Sequence, residues 1–438
     1  MSAVRALAAL TVLAAVTAPT VAAAPPAVDD SLLPPAAPPA PPAPTLRHGD
    51  CVDGHAGLGA AESAPRLDLD SVWALTRGAG QTVAVIDTGV ARHRRLPHLI
   101  PGGDYVSTQD GTADCDGHGT VVAGIIAAQP DTAAPTGFTG IAPDASILAI
   151  RQSSNKFRVA TDAAQAGVGD VDTLAAAVRF AADFGAGVIN ISSVACLPAT
   201  ADLDDRALGA ALAYAVDVKN VVVVSAAGNV GGPGQCPEAN PGDSAAAADV
   251  AVVVSPAWYD DYVLTVGSVD ADGAPSAFSL AGPWVDVAAP GEHVVSLAAA
   301  ADGLVDRSAH DDPLSGTSYA APVVSGVAAL VRARFPALTA RQVMARIEDS
   351  ALHPPEGWNP TVGHGVVDVL AAVSGPSVAA AAVPPTARPT LAPPQPSAPG
   401  AGGSRAAVRA ALICLGLIGG VAVVAAALGR SRGPVAGD

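Results

Sequence analysis

At 438 residues the chain can hold one large domain or two ordinary ones, and half of its residues are hydrophobic. Aromatics supply only 3%, so any core must be closely packed small aliphatics, which is ample for a stable domain. A formal charge of -17, with Lys156 and Lys219 the only lysines, argues against a phosphate-binding surface for nucleic acid and fits an acidic extracytoplasmic protein.

Residues 1–22 place Arg5 ahead of the apolar run Ala6–Val16 and then small residues around Thr20 and Ala22, the pattern of a secretory signal peptide. The run is shorter than the ~20 residues a bilayer needs. Residues 23–45 are mainly proline and alanine; such sequence cannot bury enough to fold and is expected to be extended. Residues 46–71 hold Cys51, glycines and alternating charge, and read as an ordered arm with little core of its own.

Over 72–374 the pattern is globular. A short helix is expected over Ser71–Arg77 and an apolar strand over Gln81–Ile86, ending at Asp87-Thr88-Gly89. Asp116-Gly-His-Gly-Thr120 then opens a small-residue helix with His118 between two glycines. Ser146–Arg151 reads as a strand and Gln152–Asp170 as a polar loop. Helix Thr173–Phe184, strand Gly187–Ser192 and helix Leu203–Asp217 follow. The unbroken β-branched run Val221–Val224 is too continuous for a one-sided sheet, so it reads as a buried parallel strand ending at Ser225-Ala-Ala-Gly-Asn229. A long glycine- and proline-rich loop with Cys236 leads to strand Tyr262–Val269, and short strands and turns fill Phe278–Pro290. A helix beyond Ser318, a second over Thr339–Asp349 and the segment Gly363–Val369 close the domain. This alternation implies a doubly wound, mostly parallel α/β sheet with helices on both faces.

Residues 375–405 return to proline-rich sequence, a linker. Residues 406–429 contain the uninterrupted apolar stretch Ala410–Gly429, long enough for a C-terminal transmembrane helix, and 430–438 form a short tail. A cleaved signal peptide puts the globular domain outside the plasma membrane and this tail in the cytoplasm.

Chemistry concentrates at four places. In Leu314–Pro322, Gly316 permits a tight turn and Pro322 is expected in a first helical turn, so Ser318 stands where free N–H groups favour developing negative charge. Ser318 taken alone reads more commonly as a helix N-cap than as a nucleophile. Asp87 and His118 also stand at a strand end and a helix start, where functional groups of open α/β sheets gather. A hydroxyl nucleophile needs an imidazole to take its proton and a carboxylate to hold the imidazole's tautomer, and the chain order Asp87, His118, Ser318 is that of the subtilisin arrangement. Asn229 adds an amide donor for the oxyanion, alongside the Ser318 backbone N–H.

The segments VAVIDTGV, DGHGTVVAGIIA, VVVVSAAGN and SGTSYAAP closely resemble the signature blocks of the subtilisin-like serine proteases, and GVINIS and GHGVVD are similar too. The resemblance covers about Val72–Val373 and implies a serine endopeptidase with Asp87, His118 and Ser318 as triad and Asn229 in the oxyanion hole. Signal peptide, protease domain, linker and single anchor, with the cysteine placement and ISSVAC, resemble the mycosins, membrane-anchored subtilases of type VII secretion systems. That likeness implies a plasma-membrane protein whose partners are a protein substrate, of the secreted-effector kind, and the type VII secretion membrane complex, with a role in stabilising that complex apart from proteolysis. One departure stands out: where secreted subtilisins have a glycine bordering the cleft after GVINIS, Ser192-Ser193 here leads to Val194, whose branched side chain reshapes the pocket.

Cys51, Cys115, Cys196 and Cys236 lie in the exported part, and four cysteines allow three pairings. Cys196 and Cys236 both follow the ends of strands expected to be neighbours beside the cleft, which pairs them and leaves Cys51 with Cys115. The second bridge ties the arm near His118; a retained structural arm, as in mycosins, is expected. Asp260-Asp261 and Asp311-Asp312 read as solvated turns rather than calcium ligands, and no metal or cofactor is expected.

Overall fold

A computed structural model of the protein describes residues 24–52, 69–132, 137–162, 164, 167–201, 203–232, 235–242 and 250–375. The expected signal peptide, transmembrane helix (406–429) and tail lie outside the described residues, as does all but the first residue of the linker. Among the described residues no helix is long and apolar enough to cross a membrane.

The strands are β1 (Thr45–Arg47), β2 (Thr82–Asp87), β3 (Leu99–Asp104), β4 (Ser146–Arg151), β5 (Phe157–Val159), β6 (Val188–Ile191), β7 (Ala195–Pro198), β8 (Val222–Ala226), β9 (Val252–Ser255), β10 (Leu264–Val269), β11 (Val287–Pro290) and the two-residue pair β12 (Ser296–Leu297) and β13 (Leu304–Val305). The helices are α1 (Leu69–Trp73), α2 (His118–Ala127), α3 (Val171–Phe184), α4 (Arg206–Ala213), α5 (Thr317–Arg334), α6 (Ala340–Asp349) and α7 (Val369–Val373). Seven strands form one sheet in the order β11-β10-β8-β6-β2-β4-β3, and every pairing in it is parallel. The winding reverses about β2: β3 and β4 lie to one side of it, and β6, β8, β10 and β11 follow on the other. Such reversals leave a crevice beyond the carboxyl ends of the strands, and β2 ends there with Asp87.

The continuous apolar runs explain why these strands are central. Val83, Ala84 and Val85 in β2 and Val222, Val223 and Val224 in β8 are wholly inaccessible to solvent. Helices α2 and α5 pack together and against the sheet, and α3 packs on α4 and on β2; alanine on all four, with glycine on α2, α4 and α5, permits close approach. Local signals set helix ends. A reciprocal Asp170–Thr173 cap starts α3 and Gly185, left-handed, ends it; Thr339 and Gln342 cap α6 in the same way.

Several elements depart from expectation. The first helix begins two residues before Ser71 and ends at Trp73. β3, which the sequence pattern did not announce, carries Pro101, Gly102 and Gly103; they are tolerated because it is the outermost strand and shifts register between Pro101 and Asp104. Helix Leu203–Asp217 is shorter, with α4 giving way to one wide π turn over Tyr214–Val218. The polar loop 152–170 contains β5, which pairs with β1 of the arm, and the loop after Asn229 contains β9, which pairs with β7. Both pairings are antiparallel and lie outside the main sheet.

The proline-rich stretch is extended over most of residues 24–44, with a single 3-10 turn at Asp30–Leu32 capped by the Asp29 side chain. It also lies against the domain: Val28 and Leu33 pack on the core, and the Arg179 guanidinium donates to the Pro34 carbonyl at 3.4 Å.

Candidate active site

Asp87, the last residue of β2, is fully buried. Its Oδ1 accepts the Thr88 N–H at 2.7 Å and meets His118 Nδ1 at 2.7 Å. A carboxylate only accepts, so the neutral imidazole carries its proton on Nδ1 and leaves Nε2 as a base. His118 opens α2, and the residue after it must be glycine: a Cβ at Gly119 would lie 2.1 Å from the Gly89 carbonyl oxygen and 3.1 Å from Asp87 Cβ. Close passage of α2 over the end of β2 is what brings ring and carboxylate together.

A second carboxylate braces this junction. Asp114 accepts from Thr88 Oγ1, Gly117 N, Thr120 N and Thr120 Oγ1 at 2.7–2.9 Å. Thr88 Oγ1 in turn accepts the Gly119 N–H at 3.0 Å. Burial pushes the Asp114 carboxyl up to about 6 despite these donors. Burial alone would lower the His118 pKa, but Asp87 first, then Asp114 and Asp116, outweigh it and hold the imidazole above its ordinary 6.5. The ring leans on Tyr319 at 5.2 Å between centroids and its side chain keeps 25% exposure, enough to meet a substrate.

Ser318 is the second residue of α5, and Gly316 is the cap, so the serine hydroxyl caps nothing. Pro322 was expected in the first turn and lies beyond it, six residues into α5 counting from Thr317. Its missing N–H leaves the Ser318 carbonyl without the usual helical donor. Asn229, just beyond β8, accepts Thr317 N at 2.9 Å and Thr317 Oγ1 at 3.0 Å through Oδ1, which turns its Nδ2 donors outward. A Cβ at Gly316 would lie 3.2 Å from Ser318 Oγ and 3.4 Å from Asn229 Nδ2, so hydroxyl and amide converge on space that only glycine leaves open.

His118, Asn229 and Ser318 line one cavity of about 830 Å³, with Ser192–Val194 on one wall and Ser153–Lys156 and Gly167–Gly169 on another. The structure thus brings all four sequence-derived residues together. Thr88, Asp114, Thr317 and Tyr319 escaped sequence reasoning although each lies within a few residues of Asp87, His118 or Ser318; their positions beside the reactive groups were the available signal.

Two disulfides border the site. Cys51–Cys115 (S–S 2.06 Å) anchors the arm, and Val52 beside it donates to the Cys115 carbonyl at 2.8 Å and reaches the cavity. Cys196–Cys236 (1.99 Å) joins β7 to the loop after Asn229.

Residues 78–365 match the model of the subtilase family of S8 peptidases. The chain belongs to the subtilase family. This subtilase is 59% identical to Mycosin-4 of Mycobacterium tuberculosis (strain ATCC 25618 / H37Rv) over 431 residues, covering 95% of this chain and 94% of the relative. It superposes on the MycP3 protease from the type VII (ESX-3) secretion system with a TM-score of 0.75 at 46% identity, covering 80% of this chain and 100% of the other. A chain of the periplasmic assembly from the ESX-5 inner membrane complex is similar at a TM-score of 0.74 and 42% identity, over 81% of this chain and 95% of that one. The protein is a subtilisin-like serine peptidase most similar to the mycosins.

Proposed function

We propose that this subtilase hydrolyses peptide bonds with Ser318 as nucleophile, His118 as general base and then acid, Asp87 as the group that orients and charges the imidazole, and Asn229 with the Ser318 N–H as the oxyanion hole. The observation that carries this reading is the 2.7 Å contact between His118 Nδ1 and buried Asp87 inside a cavity shared with Ser318 and Asn229. His118 Nε2 takes the Ser318 proton as Oγ attacks the carbonyl, and returns it to the leaving amine; water then hydrolyses the acyl-enzyme by the same route. Asp87 stabilises the imidazolium formed on the way. Cleavage of a denatured protein substrate by wild type, abolished in Ser318→Ala and in Asp87→Asn, is the expected result; cleavage that survives both changes would remove the triad.

The apolar stretch at 406–429 and the signal peptide support a single-pass plasma-membrane protein with this domain on the extracytoplasmic side, serving a type VII secretion system. A second reading is favoured by the relative that forms part of the ESX-5 periplasmic assembly. On it, the protein chiefly stabilises the secretion membrane complex. Ser318→Ala separates the two. Secretion that survives this change but fails on deletion of the chain assigns the essential role to scaffolding; failure in both assigns it to cleavage.

A further inference from the structure

The catalytic cavity carries a cation that the triad does not use. Among the described residues that line it, the charge-bearing side chains are Asp116, His118 and Lys156. Asp116 is engaged through both oxygens, accepting Asn155 N at 2.8 Å and the Ser154 hydroxyl. His118 faces Asp87. Lys156 forms no ion pair among the described residues, whereas Lys219, the other lysine, meets Asp183 at 3.0 Å.

The wall beneath Lys156 is braced. Its N–H donates to Ser154 Oγ at 3.0 Å, and its carbonyl accepts His48 N at 2.8 Å. The next residue, Phe157, pairs with Arg47 across β1 and β5 and covers the Arg151 guanidinium at 4.4 Å. The arm therefore fixes this backbone, and only the lysine side chain is left to move.

The surroundings make this stretch distinctive. With a formal charge of -17 the protein as a whole repels acidic peptides, while a cation in a cleft wall concentrates an attractive potential where field lines are confined. We propose that Lys156 forms a subsite of the cleft for an acidic side chain of the peptide substrate. The subsite rests on the peptidase reading above, and sets selectivity by charge on the wall rather than by the triad.

The test uses the full-length protein and fluorogenic peptides in which one Glu or one Gln is moved through the positions flanking the cleaved bond. Wild type is expected to prefer Glu over Gln at one position by about threefold or more in kcat/KM, a modest ratio suited to a partly exposed charge pair. That preference should shrink in high salt, disappear in Lys156→Gln, turn into a preference for Lys over Gln in Lys156→Glu, and persist in Lys219→Gln. Equal turnover of Glu and Gln peptides at every position in wild type, or a preference that survives Lys156→Gln, overturns the subsite. The salt dependence of wild type decides the matter even where a variant folds poorly. No turnover by wild type would count against the peptidase reading instead; the Glu-to-Gln ratio is then read from peptide binding to Ser318→Ala by fluorescence anisotropy, with the same deciding outcomes.

Discussion

The floor of the cleft and its walls are built in different ways. The floor is an outcome of the core: Asp87 ends a strand buried on every side, and His118 and Ser318 open helices that pack on each other and on the sheet. Asn229 is fixed by Thr317 of the same helix start. The walls come from pieces outside the main sheet, namely the arm with β1, the paired β5, the β7–β9 pair and two disulfides. Chemistry is thereby held by hydrophobic packing, which tolerates almost no displacement, while access is set by short pairings and covalent ties that can change without disturbing the core.

If that division is right, floor changes alter turnover and wall changes alter stability or selectivity. The largest effect is expected for Ser318→Ala: a loss of kcat of about 10⁶, the magnitude seen in subtilisin itself, with an unchanged thermal midpoint because the hydroxyl caps no helix. Steady-state rates and a melting curve on the same preparation check both halves. Asn229→Ala should lower kcat by about 10²–10³, again the subtilisin magnitude, with a much smaller change in KM. A loss confined to KM would place Asn229 in ground-state binding.

Protonation sharpens the same contrast. On the proposed mechanism His118 must be neutral to accept the Ser318 proton, and its pKa is raised, so kcat/KM should fall as pH drops through a value above 6.5. Asp114→Asn removes one of the carboxylates that raise it and should move this acid limb downward, a shift that damaged packing alone would not produce.

The walls answer in stability. Replacing both Cys51 and Cys115 with alanine opens a loop with a sequence separation of 64 and should cost about 2–4 kcal/mol. For a domain of this size that is roughly 3–6 °C in the midpoint, with kcat changed much less than by any floor variant. The smallest effect lies far from the cleft, at the end of α6. Burial, then Asp349 and Asp260, raise the Glu348 carboxyl to about 7 from 4.5. A carboxyl whose folded pKa is raised favours the folded state at low pH, and that contribution is lost as pH rises from 4.5 through 7. Glu348→Gln should therefore raise the midpoint by about 2–4 °C at pH 8 and little at pH 5, by differential scanning calorimetry.

How much of each region could be read from sequence follows from the same division. Val83–Ile86 and Val222–Val224 announce buried parallel strands because burial on both faces demands unbroken apolar runs, and the reactive residues stand at their ends or at helix starts. The walls leave weaker marks. β5 is Phe-Arg-Val in a polar loop and exists because β1 meets it across more than a hundred residues of chain; β3 carries a proline and two glycines that an edge alone permits. The position of Pro322 was misjudged for a related reason: motif spacing does not tell where α5 begins, and the helix starts at Thr317 rather than later. Asp114 and Thr88 brace the junction of Asp87 and His118 through side-chain hydrogen bonds that no periodicity signals.

The proposed chemistry depends most directly on which serine is the nucleophile and on how it is activated. Treatment of the full-length protein with a small fluorophosphonate at pH 8, followed by peptide mapping by mass spectrometry, should find a single adduct on Ser318 that is lost in Ser318→Ala and forms far more slowly in Asp87→Asn. An adduct on another serine, no adduct at all, or labelling of Ser318 at the wild-type rate without the Asp87 carboxylate would contradict it.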